Sequence, residues 1–237
     1  MTRQHNLPGL LIAIEGIDGA GKTTQAQLLE GLLQSRGYDV VRTKEPTNGK
    51  WGAMLRETAK SGRLPPEDEL NAFVNDRKEH VETIILPNLQ IGKIVIVDRY
   101  YFSTAAYQGA RGMDVEKIIQ INEQFAPEPD ILILIDVEPE LGIKRVKGRG
   151  KTNAFEKNGT LAKARAIFNQ IEKPYLFKVD GNRGIEEIRD EVFRSVAIIM
   201  TNKIAERKNL SVEDKLNRTL NVFGGDPLPT DSKDSSS

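Results

Sequence analysis

Gly16-Ile17-Asp18-Gly19-Ala20-Gly21-Lys22-Thr23 is the stretch of this 237-residue chain that leaves the fewest folds open. Its spacing is G-x-x-x-x-G-K-T, with an apolar run, Leu10–Glu15, leading in and a helical pattern, Lys22–Ser35, leading out. Glycines let a backbone curl until successive N–H groups point inward, and the helix N-terminus adds a partial positive charge. Such a loop cradles phosphate. Gly16, Asp18, Gly19, Ala20, Gly21, Lys22, Thr23 and Thr24 are therefore expected to form an ATP site. Lys22 would reach the β- and γ-phosphates, and Thr23 would offer its hydroxyl to Mg²⁺. A Gly-rich turn that merely feeds a helix is the competing reading, and the two correct flanks weigh against it.

The rest of the pattern suits that loop. Leu10–Glu15, Asp39–Thr43, Lys93–Asp98, Ile131–Asp136 and Tyr175–Val179 are short apolar runs without alternation, as in strands buried on both faces. Between them lie helical patterns at Lys22–Ser35, Pro66–Leu86, Val115–Phe125, Pro139–Lys147, Leu161–Glu172 and Ile185–Ile204. The alternation predicts an α/β fold: a five-stranded parallel sheet flanked by helices, of the P-loop NTPase type. One domain over residues 10–205 and a polar tail over 206–237 are expected, the Pro/Asp/Ser-rich end from Asp226 being disordered.

Composition removes several alternatives. Basic and acidic residues balance at 34 each, so no overall field recruits nucleic acid or an anionic membrane. With no cysteine there is no disulfide framework, thiol nucleophile or Cys-ligated zinc. Met1 to Pro8 lacks a signal-peptide core, and no apolar run approaches the roughly 20 residues of a membrane helix. A cytoplasmic protein is expected.

A phosphate loop alone does not name a reaction. A guanine-reading Asn-Lys-x-Asp is absent, since Asn202-Lys203-Ile204-Ala205 lacks the acid. The third strand ends at Asp98, beside the loop in an open α/β sheet, where a carboxylate can hold Mg²⁺. Arg99 follows with a planar fork suited to phosphate. A helix cap with a local ion pair is the plainer account of the two. From Asp98, however, Asp98-Arg99-Tyr100-Tyr101-Phe102-Ser103-Thr104-Ala105-Ala106-Tyr107-Gln108-Gly109 resembles the signature of the thymidylate kinase family. Glu15-Gly16-Ile17-Asp18-Gly19, Thr43-Lys44-Glu45-Pro46 and Asp136-Val137-Glu138-Pro139-Glu140 agree with that family in order and spacing. The likeness covers roughly residues 10 to 200.

The resemblance implies roles. Arg99 would hold the phosphate of dTMP, and Asp18 would accept from the sugar 3′-hydroxyl. Phe73 would stack on thymine and Arg77, one turn on, would bond its carbonyl. Glu45, Ser103, Thr104 and Gln108 would border the acceptor, and Tyr107 would crowd a ribose 2′-hydroxyl. A plain core Phe73 and a solvated Arg77 are the ordinary alternatives. Lys144, Arg145, Lys147, Arg149 and Lys151 run into a Gly-punctuated stretch that resembles the kinase lid, about 148–159. Members of the family lacking an Arg in the phosphate loop carry that charge in the lid. Gly19 occupies the position here, so Arg149 is the expected catalytic lid residue beside Lys22, Asp98 and Arg99, with Arg145 also on ATP. Many bacterial relatives have Asp-Arg in the lid where this chain has Asn153-Ala154. Asp180-Gly181-Asn182-Arg183 falls where the family contacts adenine, or is an ordinary turn. A homodimer is also implied.

Phosphoryl transfer from Mg-ATP to dTMP is the resulting expectation. Two rivals remain. A deoxynucleoside kinase would need a carboxylate base, for which Glu45 is placed after strand two. A P-loop ATPase switch would turn over ATP without an acceptor.

Overall fold

The computed structural model describes residues 7–147 and 154–208. The chain divides into two compact units, Met1–Val192 and Phe193–Ser237. In the second, the described residues form the C-terminal part of the last helix, where the Thr201 hydroxyl donates to the Ala197 carbonyl.

The first unit holds the sheet. Strands β1 (Leu10–Glu15), β2 (Val40–Lys44), β3 (Ile94–Asp98), β4 (Ile131–Asp136) and β5 (Leu176–Asp180) pair in parallel, in the order β2-β3-β1-β4-β5. The expected five-stranded parallel sheet is present. Apolar residues of β1, β3 and β4 are buried, whereas the edge strands β2 and β5 are part-exposed. That follows from helices covering both faces of the central strands. The chain reverses its winding between β1 and β3, which are neighbours with Ile14 opposite Asp98. The loops that follow these two strands therefore open into one crevice.

The helices are α1 (Lys22–Gln34), α2 (Lys50–Ser61), α3 (Pro66–His80), α4 (Leu86–Gln90), α5 (Tyr101–Gly109), α6 (Val115–Glu123), α7 (Pro139–Lys147), α8 (Ala154–Gln170) and α9 (Ile185–Lys208). Four differ from expectation, one of them α5, over which the sequence reading placed no helix. Pro66–Leu86 was read as one helix, but a π-helical turn, Val81–Ile85, separates α3 from α4. Pro87 is the second residue of α4, and its ring would strike the carbonyl of the residue one turn back, so the turn widens there. Helix α2 was not anticipated, although Trp51, Met54 and Leu55 recur at helical spacing; it buries only Gly52 and Leu55. Helix α8 starts at Ala154, so residues 154–159 of the expected lid loop are helical. The remainder of that lid, 148–153, and the expected tail from 209 lie outside the described residues. Among the described residues no helix is long and apolar enough to cross a membrane.

Candidate active site

The loop after β1 turns through three glycines with positive φ: Gly16 at 140°, Gly19 at 84° and Gly21 at 98°, the last capping α1. The Lys22 ammonium donates to the Ile17 carbonyl at 2.8 Å. Burial, and then the neighbouring Arg99, push its pKa down to about 7. The Thr23 hydroxyl donates to Asp98 Oδ2 at 2.5 Å, joining the two residues expected at a metal. Gly19, Gly21, Lys22, Thr23 and Thr24 line a cavity of about 420 Å³. Gly16 and Ala20 shape the turn behind it: a Cβ on Gly16 would lie 2.4 Å from the Ile135 carbonyl oxygen, and the Ala20 amide bonds the Ile17 carbonyl.

Arg99 has a φ of 71°, the only positive value at a non-glycine residue among those described. It is held on both sides. Its amide bonds the Ile14 carbonyl, and the next amide, of Tyr100, bonds Glu15 Oε1 at 2.7 Å. Glu15 also accepts from the Ser103 amide and hydroxyl, so a buried carboxylate at the end of β1 caps α5. Burial raises the Glu15 pKa, against the opposing pull of Ser103 and the Tyr100 amide. The Arg99 guanidinium then reaches Asp18 Oδ1 at 2.5 Å and Ser103 Oγ at 3.0 Å, over the ring of Tyr107. The Tyr107 hydroxyl accepts from the Asp18 amide, and burial pushes its pKa up to about 12.

A second cavity, of about 190 Å³, adjoins the first and has Phe73, Arg77, Tyr100, Thr104 and Tyr107 in its wall. Asp18, Glu45, Pro46 and Arg99 line both. Phe73 and Arg77 thus face a cavity, and Arg77 is buried rather than solvated. Gln108 is fully buried and is not in that wall; its amide donates to Glu69, which also takes Arg63 and Arg111. Ser103 does line the cavity, with its hydroxyl turned to Glu15.

Arg145 donates to the Gly181 carbonyl at 3.0 Å and lies 3.5 Å from that of Gly19, which brings the Asp180–Arg183 turn beside the phosphate loop. Arg149 lies outside the described residues. The sequence reading missed Arg56 and Lys44, which line the larger cavity, and Arg63, in the wall of the smaller one. It also missed His80 and Asn122, buried behind Arg77. No spacing marks these residues; only the fold gathers them. Among the described residues no group of three His, Asp or Glu forms a metal cluster.

The thymidylate kinase family model matches residues 14–192. A thymidylate kinase of Xanthomonas campestris pv. campestris is 45% identical over 208 residues, covering 87% of this chain and 89% of its own. One from Xanthomonas oryzae pv. oryzae shows the same identity and coverage. One from Akkermansia muciniphila is 42% identical over 190 residues, covering 80% of this chain and 92% of its own. With a phosphate loop, an Asp-Arg pair and an adjoining aromatic cavity in one crevice, the chain belongs to the thymidylate kinase family.

Proposed function

We propose that this protein transfers the γ-phosphoryl group of Mg-ATP to dTMP, giving dTDP and ADP. The observation that carries the reading is the position of Arg99, whose side chain lines both the phosphate-loop cavity and the aromatic one. A cation at that junction meets the acceptor phosphate and the transferring group together. A nucleoside monophosphate is already ionised at neutral pH, its second pKa lying near 6 as for a phosphorylated side chain. No base is needed; the barrier is the approach of two anions, met by cations and in-line alignment. Lys22, Arg99, Arg56 and Lys44 supply positive charge around the larger cavity, and we assign lid charge to Arg145 and Arg149. Thr23 and Asp98 suit a Mg²⁺ ion that takes its other ligands from phosphates and water. Bound there, the ion would neutralise negative charge on the phosphates. Asp18 meets the acceptor sugar, Phe73 stacks on its base, and Thr104 borders it. We further assign a cytoplasmic homodimer, as the family resemblance implies.

The deoxynucleoside kinase reading loses its base, because both Glu45 oxygens are engaged, by Arg77 and by His80. An ATPase switch leaves the aromatic cavity without a purpose. A coupled assay decides: ADP should form with dTMP and Mg-ATP, and not with thymidine or without an acceptor. In Phe73→Ala the KM for dTMP should rise about 30-fold, through lost stacking and burial, with the KM for ATP unchanged. An unchanged preference among monophosphates in that variant would remove Phe73 from the base site.

Lys22 gives a separate expectation. With its pKa near 7, it is mostly neutral at pH 8 in the free protein. Phosphate beside it favours the charged form and raises that pKa, so ATP binding at pH 8 should take up close to one proton. At pH 6, where the ammonium is already charged, uptake at this group should vanish. Calorimetry in buffers of different ionisation enthalpy reads this directly.

A further inference from the structure

Arg77 is 1% exposed, and its five N–H donors can be followed one by one. Nε and Nη2 both donate to a single oxygen, Glu45 Oε2, at 2.8 and 2.6 Å. Nη2 also donates to the Thr104 hydroxyl at 3.0 Å, and Nη1 to Asn122 Oδ1 at 2.6 Å. Asn122 is oriented in turn by its own amide, which donates to the Ile118 carbonyl. One Nη1 hydrogen remains, on a guanidinium that lines the aromatic cavity and stands over Tyr100.

The unusual feature is the single oxygen. The Nε/Nη2 edge of an arginine ordinarily meets a carboxylate through two parallel bonds, one to each oxygen. Here the second oxygen, Glu45 Oε1, is bonded to His80 Nδ1 at 2.9 Å. The terminal torsion of Glu is broad, so the residue itself does not forbid rotation into the two-oxygen arrangement. His80 forbids it. A carboxylate only accepts, so Nδ1 carries the proton; the Thr43 hydroxyl lies 2.8 Å from Nε2 on the far side of the ring and holds it from β2. His80 and Glu45 are 2% and 5% exposed, so little water competes for these bonds.

We propose that His80 is a positioning residue for the acceptor base. By occupying one oxygen of Glu45 it sets the plane of the Arg77 guanidinium, and so aims the one N–H that Arg77 keeps for a base carbonyl. This rests on the dTMP kinase reading above. Loss of His80 lets Glu45 rotate to grip Arg77 with both oxygens, which turns that last donor away from the cavity. The phosphate loop and Arg99 are untouched, so the effect falls on recognition of the base.

The test compares wild type with His80→Ala, His80→Asn, His80→Gln and Thr43→Val. It measures kcat, the KM for dTMP and for ATP, and the preference for dTMP over dCMP, which carries an amino group in place of the carbonyl. His80→Ala should raise the dTMP KM about tenfold and cut the preference about tenfold, the weight of one charge-assisted bond, with the ATP KM within twofold. Asn presents its N–H where Nδ1 was and should restore both to within about threefold of wild type; Gln, which mimics Nε2, should not. Thr43→Val keeps the ring but frees it to turn, and should shift base preference the same way by about threefold. It also decides the matter if His80→Ala does not fold. An Asn variant as impaired as Ala, a fall in kcat with both KM values rising in parallel, or an unaltered base preference in Thr43→Val would overturn the proposal. If wild type itself is inert toward dTMP, the function reading fails and takes this inference with it. If wild type is active and the variants match it, only this inference fails.

Discussion

Arg99→Ala is expected to lower kcat with dTMP about 1,000-fold, within the range for a positive group aimed at a transferring phosphoryl. The loss has two sources. The guanidinium that lies between the two cavities disappears, and Asp18, in the wall of both, loses its ion pair with it. ADP affinity should change little, because the glycine loop and the Thr23–Asp98 pair do not depend on the Arg99 side chain. Arg99→Lys restores charge without the fork, which here spans Asp18 and Ser103, and should recover only about tenfold. Single-turnover kinetics with ADP titrations separate the two effects. A kcat within threefold of wild type would mean that Arg99 does not touch the reacting phosphates.

Gly19→Ala is expected to cost about 4 kcal/mol of stability and to lower kcat about 100-fold. An added Cβ at Gly19 would lie 2.1 Å from the carbonyl oxygen of Gly142, in α7, and 2.6 Å from its carbonyl carbon. The contact is reciprocal, since a Cβ on Gly142 would lie 2.6 Å from the Asp18 carbonyl oxygen. Two backbones meet with nothing between them. Backbone cannot yield as a side chain does, so the phosphate loop and α7 must part by about an ångström. At a φ of 84°, alanine adds left-handed strain of about 1 kcal/mol. Gly21 is the internal control: its φ is 98°, yet a Cβ there meets nothing within 4 Å. Gly21→Ala should therefore show the strain alone, lowering Tm by about 3 °C, against about 10 °C or more for Gly19→Ala. Equal shifts would mean that the Gly19–Gly142 contact bears no load. The same geometry explains the absence of a charged residue at position 19, because any side chain there would strike α7.

Local pattern made the strands legible. Runs such as Leu10–Glu15 and Ile94–Asp98 are apolar at every position up to their last residue, and only a strand covered on both faces buries them whole. The phosphate loop was legible for the same reason, since its glycines, lysine and threonine act within one turn of chain. Asp98 and Arg99 could be placed because strand ends in such a sheet share one edge. Helix α2 was not read, because its apolar residues, Trp51, Met54 and Leu55, are few and Gly52 interrupts them, and Arg56 went unnoticed with it.

The sequence by itself thus determined the sheet, the phosphate loop and the family, through signals carried by neighbouring residues. The tertiary structure alone decided the partners. Glu45, Arg77, Thr104 and Asn122 come from the loop after β2 and from three helices, α3, α5 and α6, and their bonds span up to 45 positions of chain. Gln108 was expected beside the base and instead serves Glu69, which no pattern near either residue announces. The physical reason is burial: in the interior a polar group must take whichever complementary group the fold brings within hydrogen-bond reach, and that choice is made by packing across the chain.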